Sequence, residues 1–127
     1  MTKPKIIISP AIPYQPHEMQ VAHILLGYFK SDVKFIEPSM AYKQRSADFL
    51  ILGIEWELKS PTGSSLKSTI EKQFKGLRQS SNLIIDGRRS KLNDPLLINR
   101  VAKEIRNHRS IKRLLYINKQ GDVLALK

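Results

Sequence analysis

Cysteine is absent from the chain. Disulfides and thiolate metal sites are therefore excluded, and any metal must be held by carboxylate, imidazole or backbone oxygen. Long apolar runs are missing too: IIIS near the start and FLILGI in the middle fall far short of the roughly 20 residues of a membrane span. The N-terminus lacks the apolar core of a signal peptide. These absences set the expectation of a protein that acts in the cytoplasm without a membrane partner, with delivery into another cell left open. Acidic residues are scarce, 11 Asp and Glu against 22 Lys and Arg, for a formal charge of +11. A field of that sign gathers phosphate polyanions, so nucleic acid is the expected partner. No repeat or Pro/Gly/Ser-rich linker divides the sequence, and 127 residues suit one core that buries about two-thirds of the unfolded surface. The expectation is a single domain, residues 1–127.

What is present reads as alternating helices and strands. Pro4, Pro10 and Pro13 keep the first segment extended. Pro16 suits the first turn of a helix running to about Lys30, with Glu18, Val21, Ala22, Leu25 and Phe29 on one face. A short strand around Lys34 to Glu37 follows, then a polar loop through Arg45. Asp48 to Leu52 and Ile54 to Lys59 form a strand pair. Ser68 with Glu71 three residues on predicts a helix start by capping box, and Leu66, Ile70, Phe74 and Leu77 form its apolar stripe. Asn82 to Asp86 is a buried strand. A helix starting at Asp94 and Pro95 carries Leu97, Ile98, Val101, Ala102 and Ile105 inward. Arg113 to Asn118 and Asp122 to Leu126 close the chain as a hairpin. The predicted class is α/β, a mixed α+β sheet.

The scarce acids are concentrated in ADFLILGIEWELKSPTG, residues 47–63. Alternation along a strand puts Ile54, Trp56 and Leu58 on one face and Glu55, Glu57 and Lys59 on the other. If Leu52 and Gly53 make a two-residue turn, Asp48 falls opposite Glu57; if Gly53 closes a bulge, the register shifts by one. Two carboxylates about 5 Å apart repel by roughly 3 kcal/mol at an effective dielectric near 20, so something must offset them. Lys59 is one such group and a divalent cation is another. Asp48, Glu57 and the Leu58 carbonyl offer hard oxygen ligands of the kind magnesium prefers, with manganese or zinc as alternatives. Glu18 adds a ligand from the first helix, or else serves the helix start. A solvated strand face with Lys59 as salt-bridge partner is the structural alternative.

An Asp, eight intervening residues and Glu-Leu-Lys, set on the second and third strands of a helix-strand-strand-strand-helix-strand order, resembles the PD-(D/E)XK nuclease superfamily over about residues 16 to 86. Ala47 stands where the motif's proline would be. The resemblance implies a restriction-endonuclease-like αβββαβ core, here followed by a C-terminal helix and β-hairpin. It implies Asp48, Glu57 and Lys59 as catalytic motif, Glu18 as the first-helix acid, and Gln73 as a polar residue facing the site. The longer string WELKSPTGSSLKSTIEKQFKGLRQSSNLIIDGRRSK is similar to the C-terminal tRNase toxin domains of contact-dependent growth inhibition proteins and their free-standing bacterial relatives. That similarity implies an endonuclease acting on tRNA or other RNA, with DNA as the next substrate, and a cognate immunity protein as a further partner. A metal-independent tRNase of the barnase and RelE type and a non-catalytic nucleic-acid-binding module remain alternatives.

Two further clusters suit a phosphate backbone. Ser60, Thr62, Ser64, Ser65 and Thr69 lie between the Lys59 strand and the next helix, with Lys67 beside them. Arg88, Arg89 and Lys91 follow the NLIID strand, where Asp86 is read as a turn cap. The structural alternatives are a capping loop and a solvated basic turn. His17, His23 and His108 show no metal-ligand spacing. Tyr14, Tyr28, Tyr42 and Tyr116 are base-stacking candidates, although aromatics at such positions more often form core edges.

Overall fold

The computed structural model describes residues 3–36, 48–74 and 82–127, with the side chain of Gln73 outside that description. Tyr42, Glu37, Arg45 and Leu77 from the sequence reading lie outside it as well. The chain forms two compact units, residues 1–57 and 58–127. The expected order of helices and strands is found, with a short parallel strand added at the start and a 3-10 turn after the last helix.

In the first unit, β1 (Ile6–Ile7) occupies the proline-punctuated segment. The helix α1 (Pro16–Phe29) begins with Pro16 in the first turn and ends at Lys30, which adopts φ 52° and donates its amide to Leu26 O at 2.9 Å. Its buried stripe is Val21, Ala22 and Leu25. The strands β2 (Val33–Phe35), β3 (Phe49–Ile51) and β4 (Ile54–Lys59), whose last two residues already count to the second unit, follow. β1 pairs parallel to β2, and β2, β3 and β4 pair antiparallel in succession. Val33, Phe35, Phe49, Ile51 and Trp56 fill the core from alternate strand positions. Phe35 meets Phe49 edge-on at 5.0 Å and Phe29 meets Trp56 at 5.8 Å. Complete burial of such a side chain is worth about 1.5–3 kcal/mol, so the helix stripe and the strand faces together hold this unit.

The second unit is built on β5 (Asn82–Asp86), β6 (Arg113–Ile117) and β7 (Val123–Ala125). β5 and β6 run parallel, and β6 pairs antiparallel with β7. A parallel pair needs a crossover, supplied by α3 (Asp94–Glu104) and the 3-10 turn Ile105–Asn107. Leu83 to Asp86 and Leu114 to Ile117 are buried continuously, the pattern of strands covered on both faces. The helix α2 (Leu66–Phe74) contributes Ile70 and Phe74 to the same core, beside Leu97, Val101 and Ile105 of the crossover.

The start of α2 differs from expectation, while α3 starts at Asp94 as expected. α2 begins at Leu66, and Ser65 Oγ accepts the Ser68 amide at 3.3 Å, so Ser65 caps where Ser68 was expected. The earlier start brings Leu66 onto the apolar stripe with Ile70 and Phe74. At α3 the capping oxygen comes from Asn93, whose Oδ1 accepts the Leu96 amide at 3.0 Å. Asp94 then keeps its carboxylate for other partners.

Candidate functional site

The β3–β4 hairpin turns through Leu52 and Gly53, with φ of 52° and 75°. Positive φ at both central residues is the type I′ geometry that matches strand twist. Ile51 pairs with Ile54, Leu50 with Glu55 and Phe49 with Trp56. The two-residue turn is thus found and the Gly53 bulge is not. Just beyond the last pair, the Asp48 amide donates to the Trp56 carbonyl at 2.8 Å, and the Asp48 carbonyl accepts from Ile36 N at 3.1 Å. Asp48 is stitched by its backbone to both neighbouring strands, next to the Trp56–Glu57 step.

Along β4, Trp56 is buried, Glu55 is exposed, and Glu57, Leu58 and Lys59 are half-buried, as is Asp48. Glu57 and Lys59 share the face opposite Trp56 by strand alternation. Glu55 has the same parity, yet it lies opposite Leu50 nearer the turn, where solvent reaches it. Asp48, Glu57 and Lys59 are therefore set apart from Glu55 by partial enclosure. Glu18 is drawn to a different task, because its Oε1 accepts the Gln15 amide at 2.7 Å and closes the start of α1. Among the described residues no group of three acidic or imidazole side chains converges on a point that would hold a metal. Asp48 and Glu57 remain the carboxylates to consider, while one oxygen of Glu18 accepts the Gln15 amide.

The remaining predicted residues lie in the second unit. Ser60, Thr62, Ser64, Ser65, Ser68 and Lys72 line a cavity of about 330 Å³, and Thr69 on its wall is buried. The Ser60 hydroxyl oxygen is enclosed without a hydrogen-bond partner among the described residues. Lys67 is exposed on the first turn of α2, and of Gln73 only the helical backbone is described. Arg88 differs from its two neighbours. Its Nε and Nη2 donate to Asp86 Oδ1 and Oδ2 at 2.9 and 3.0 Å, and its amide donates to Oδ1 at 3.1 Å. The Asp86 carboxylate is fully buried, so this guanidinium neutralises a charge that cannot be left alone. Arg89 and Lys91 stay exposed.

Tyr116 is completely buried and belongs to the core. Its hydroxyl donates to Asp94 Oδ1 at 2.7 Å. Burial, that bond and the charges of Asp94 and Asp86 push the phenol above its ordinary value. Lys119, which carried no motif in the sequence, donates its amide to Asp94 Oδ2 at 3.0 Å, and its Nζ to the carbonyls of Gly87 at 3.0 Å and Ser90 at 2.5 Å. Only the tertiary fold brings residue 119 to the 87–90 turn, so no local spacing pointed to it.

Residues 45–123 match the model of the contact-dependent growth inhibition CdiA C-terminal domain. The chain belongs to this family. The matched span holds the β3–β4 hairpin, both loops of the second unit and the crossover, and membership points to a toxic, nuclease-like activity for this CdiA C-terminal domain. No curated protein matches it. Its fold is similar to that of a chain from the CdiA-CT/CdiI toxin and immunity complex of Burkholderia pseudomallei. The TM-score is 0.71 over 97% of this chain and 98% of that one, at 16% identity. At that identity the likeness establishes the mixed α+β fold. No helix among the described residues is long and apolar enough to cross a membrane.

Proposed function

We propose that this CdiA C-terminal domain is a divalent-metal-dependent endonuclease of the PD-(D/E)XK kind that hydrolyses phosphodiester bonds in RNA, with tRNA favoured and DNA next. The observation that carries the reading is the hairpin register, which sets Asp48 against the Trp56–Glu57 step with Lys59 two residues further along β4. Oxygen donors from two half-buried carboxylates suit a hard cation, magnesium before manganese or zinc. When bound, the cation supplies positive charge against the charge that develops on the phosphate. Asp48 and Glu57 would hold it, with the Leu58 carbonyl as a further oxygen. Glu18 has one carboxylate oxygen committed to the helix start and would add a ligand through the other.

The chain's own groups divide the remaining work. Lys59 Nζ donates to a non-bridging phosphate oxygen or orients the attacking water, an electrostatic role whose removal typically costs about 10²–10³ in rate. The hydroxyl loop and the exposed Arg89 and Lys91 bind the phosphate backbone of the substrate. A cognate immunity protein is the natural second partner, in keeping with the toxin and immunity complex whose chain has this fold. The site of action is then the cytoplasm of the cell that the domain reaches.

The test is cleavage of tRNA, of unstructured RNA and of plasmid DNA with magnesium, manganese, zinc or EDTA. Metal-dependent cleavage that disappears in Glu57→Gln is expected. Cleavage that survives both EDTA and Glu57→Gln, with 2′,3′-cyclic phosphate ends, identifies the metal-free barnase and RelE type of chemistry instead. Binding with the substrate left intact identifies a non-catalytic module.

A further inference from the structure

The two phosphate-binding candidates of the second unit lie far apart in sequence and are joined in the fold. Gly63 O, in the middle of the hydroxyl loop, accepts the Lys91 amide at 3.3 Å and the Ser90 hydroxyl at 3.5 Å. The same Ser90 oxygen accepts the Leu92 amide at 3.1 Å. Behind the turn, Lys119 Nζ ties Gly87 O and Ser90 O together. Asp94 anchors Lys119 through its backbone amide and is itself held by Tyr116. Gly87 donates to Ile117 O at 2.8 Å. The polar groups of the turn's backbone are thus directed inward, onto carbonyls, amides and a lysine that hold its shape.

What points outward is the charge. Arg89 and Lys91 are exposed, and Lys72 lines the hydroxyl cavity to which the Lys91 backbone is bonded. Arg88 is the exception, since the buried Asp86 holds its guanidinium. Cations interleaved with hydroxyls on a backbone that need not reorganise are the chemistry that recognises a phosphodiester chain.

We infer that the 60–65 loop and the 87–91 turn form one preassembled surface for a nucleic-acid backbone, with Lys72, Arg89 and Lys91 as its phosphate contacts and Lys119 as a positioning residue. Resting on the nuclease reading, this replaces two separate basic segments by a single surface, withdraws Arg88 from it and adds Lys72 and Lys119. Lys119 acts through the turn: its ammonium faces two carbonyls of the protein.

The test uses the 127-residue chain carrying Glu57→Gln, so that substrate persists, and measures its affinity for fluorescent tRNA and for a DNA duplex across a salt series. Replacing Arg89 and Lys91 together by Gln is expected to lower the slope of log affinity against log salt by about 1.5 to 2, the release expected for two phosphate contacts. Lys119→Met is expected to weaken binding several-fold more than Lys103→Met, a charge-matched change on the exposed face of α3. Lys119→Arg should restore most of the loss, and amide exchange at 88–91 should quicken in Lys119→Met alone. An unchanged slope in the double variant overturns the surface. Equal effects of Lys119→Met and Lys103→Met overturn the positioning role. The cleavage reading is scored separately: wild-type protein that binds with the expected slope yet cuts nothing leaves the surface standing and removes the nuclease.

Discussion

The hairpin of the first unit and the turn of the second unit show two ways of treating charge. At the turn, the buried Asp86, the half-buried Asp94 and the exposed Lys119 are each tied into the fold. Asp86 is held by Arg88, and Asp94 by Tyr116 and the Lys119 amide, while Lys119 Nζ lies between two carbonyls. At the hairpin, carboxylates of one sign are set beside the end of a strand ladder, half-buried in an otherwise cationic chain. The turn serves as scaffold, and the hairpin carries the proposed chemistry.

The sharpest break between the two regions should appear in activity. Asp48→Asn or Glu57→Gln should lower cleavage by at least about 10²-fold, with thermal unfolding showing that the fold persists. Lys59→Met should act in the same range. Changes at the scaffold should instead register in stability. A Cβ at Gly87 would overlap the Tyr116 hydroxyl, so Gly87→Ala should cost about 1–3 kcal/mol in urea denaturation.

Tyr116→Phe should cost about 1 kcal/mol, by removing the bond to Asp94. It should also change the alkaline limit. Because the phenol of the folded protein is raised above the ordinary value near 10, its contribution is intact below that pH. It is lost as pH rises beyond it, because the unfolded chain releases the proton first. Wild-type stability should therefore fall more steeply above pH 10 than that of Tyr116→Phe, as read from denaturation midpoints across the alkaline range.

The smallest effect belongs to the hairpin's turn. Leu52 holds a left-handed conformation while exposed, a strain of roughly 1–2 kcal/mol for an ordinary side chain. Leu52→Asn should recover about 1 kcal/mol in urea denaturation and leave cleavage unaltered. A loss of activity there would tie the turn to the chemistry and blur the contrast between the two regions.

Much of this architecture was legible in the residues. Periodicity located the helices and strands, because Val21, Ala22 and Leu25 recur at helical spacing and Ile51, Trp56 and their neighbours alternate. The hairpin register followed from its two-residue loop even though Leu-Gly is a poor primed-turn pair, since the flanking core positions fix the alignment. Helix starts were less legible. SPTGSSLKS offers several hydroxyls that can cap, and the apolar stripe, not the capping box, chose among them. The bracing of the 87–91 turn was not legible at all. Asp94 and Lys119 meet only after β5, α3 and β6 are assembled, and Arg88 looks like Arg89 until the buried Asp86 is seen.

The central claim is that Asp48 and Glu57 share a cation. Crystals soaked in manganese and measured at its absorption edge test this directly. An anomalous peak between the two carboxylates, absent in Glu57→Gln, is the predicted result. Density free of any such peak at millimolar manganese, with the two side chains turned to opposite faces of the hairpin, would contradict it.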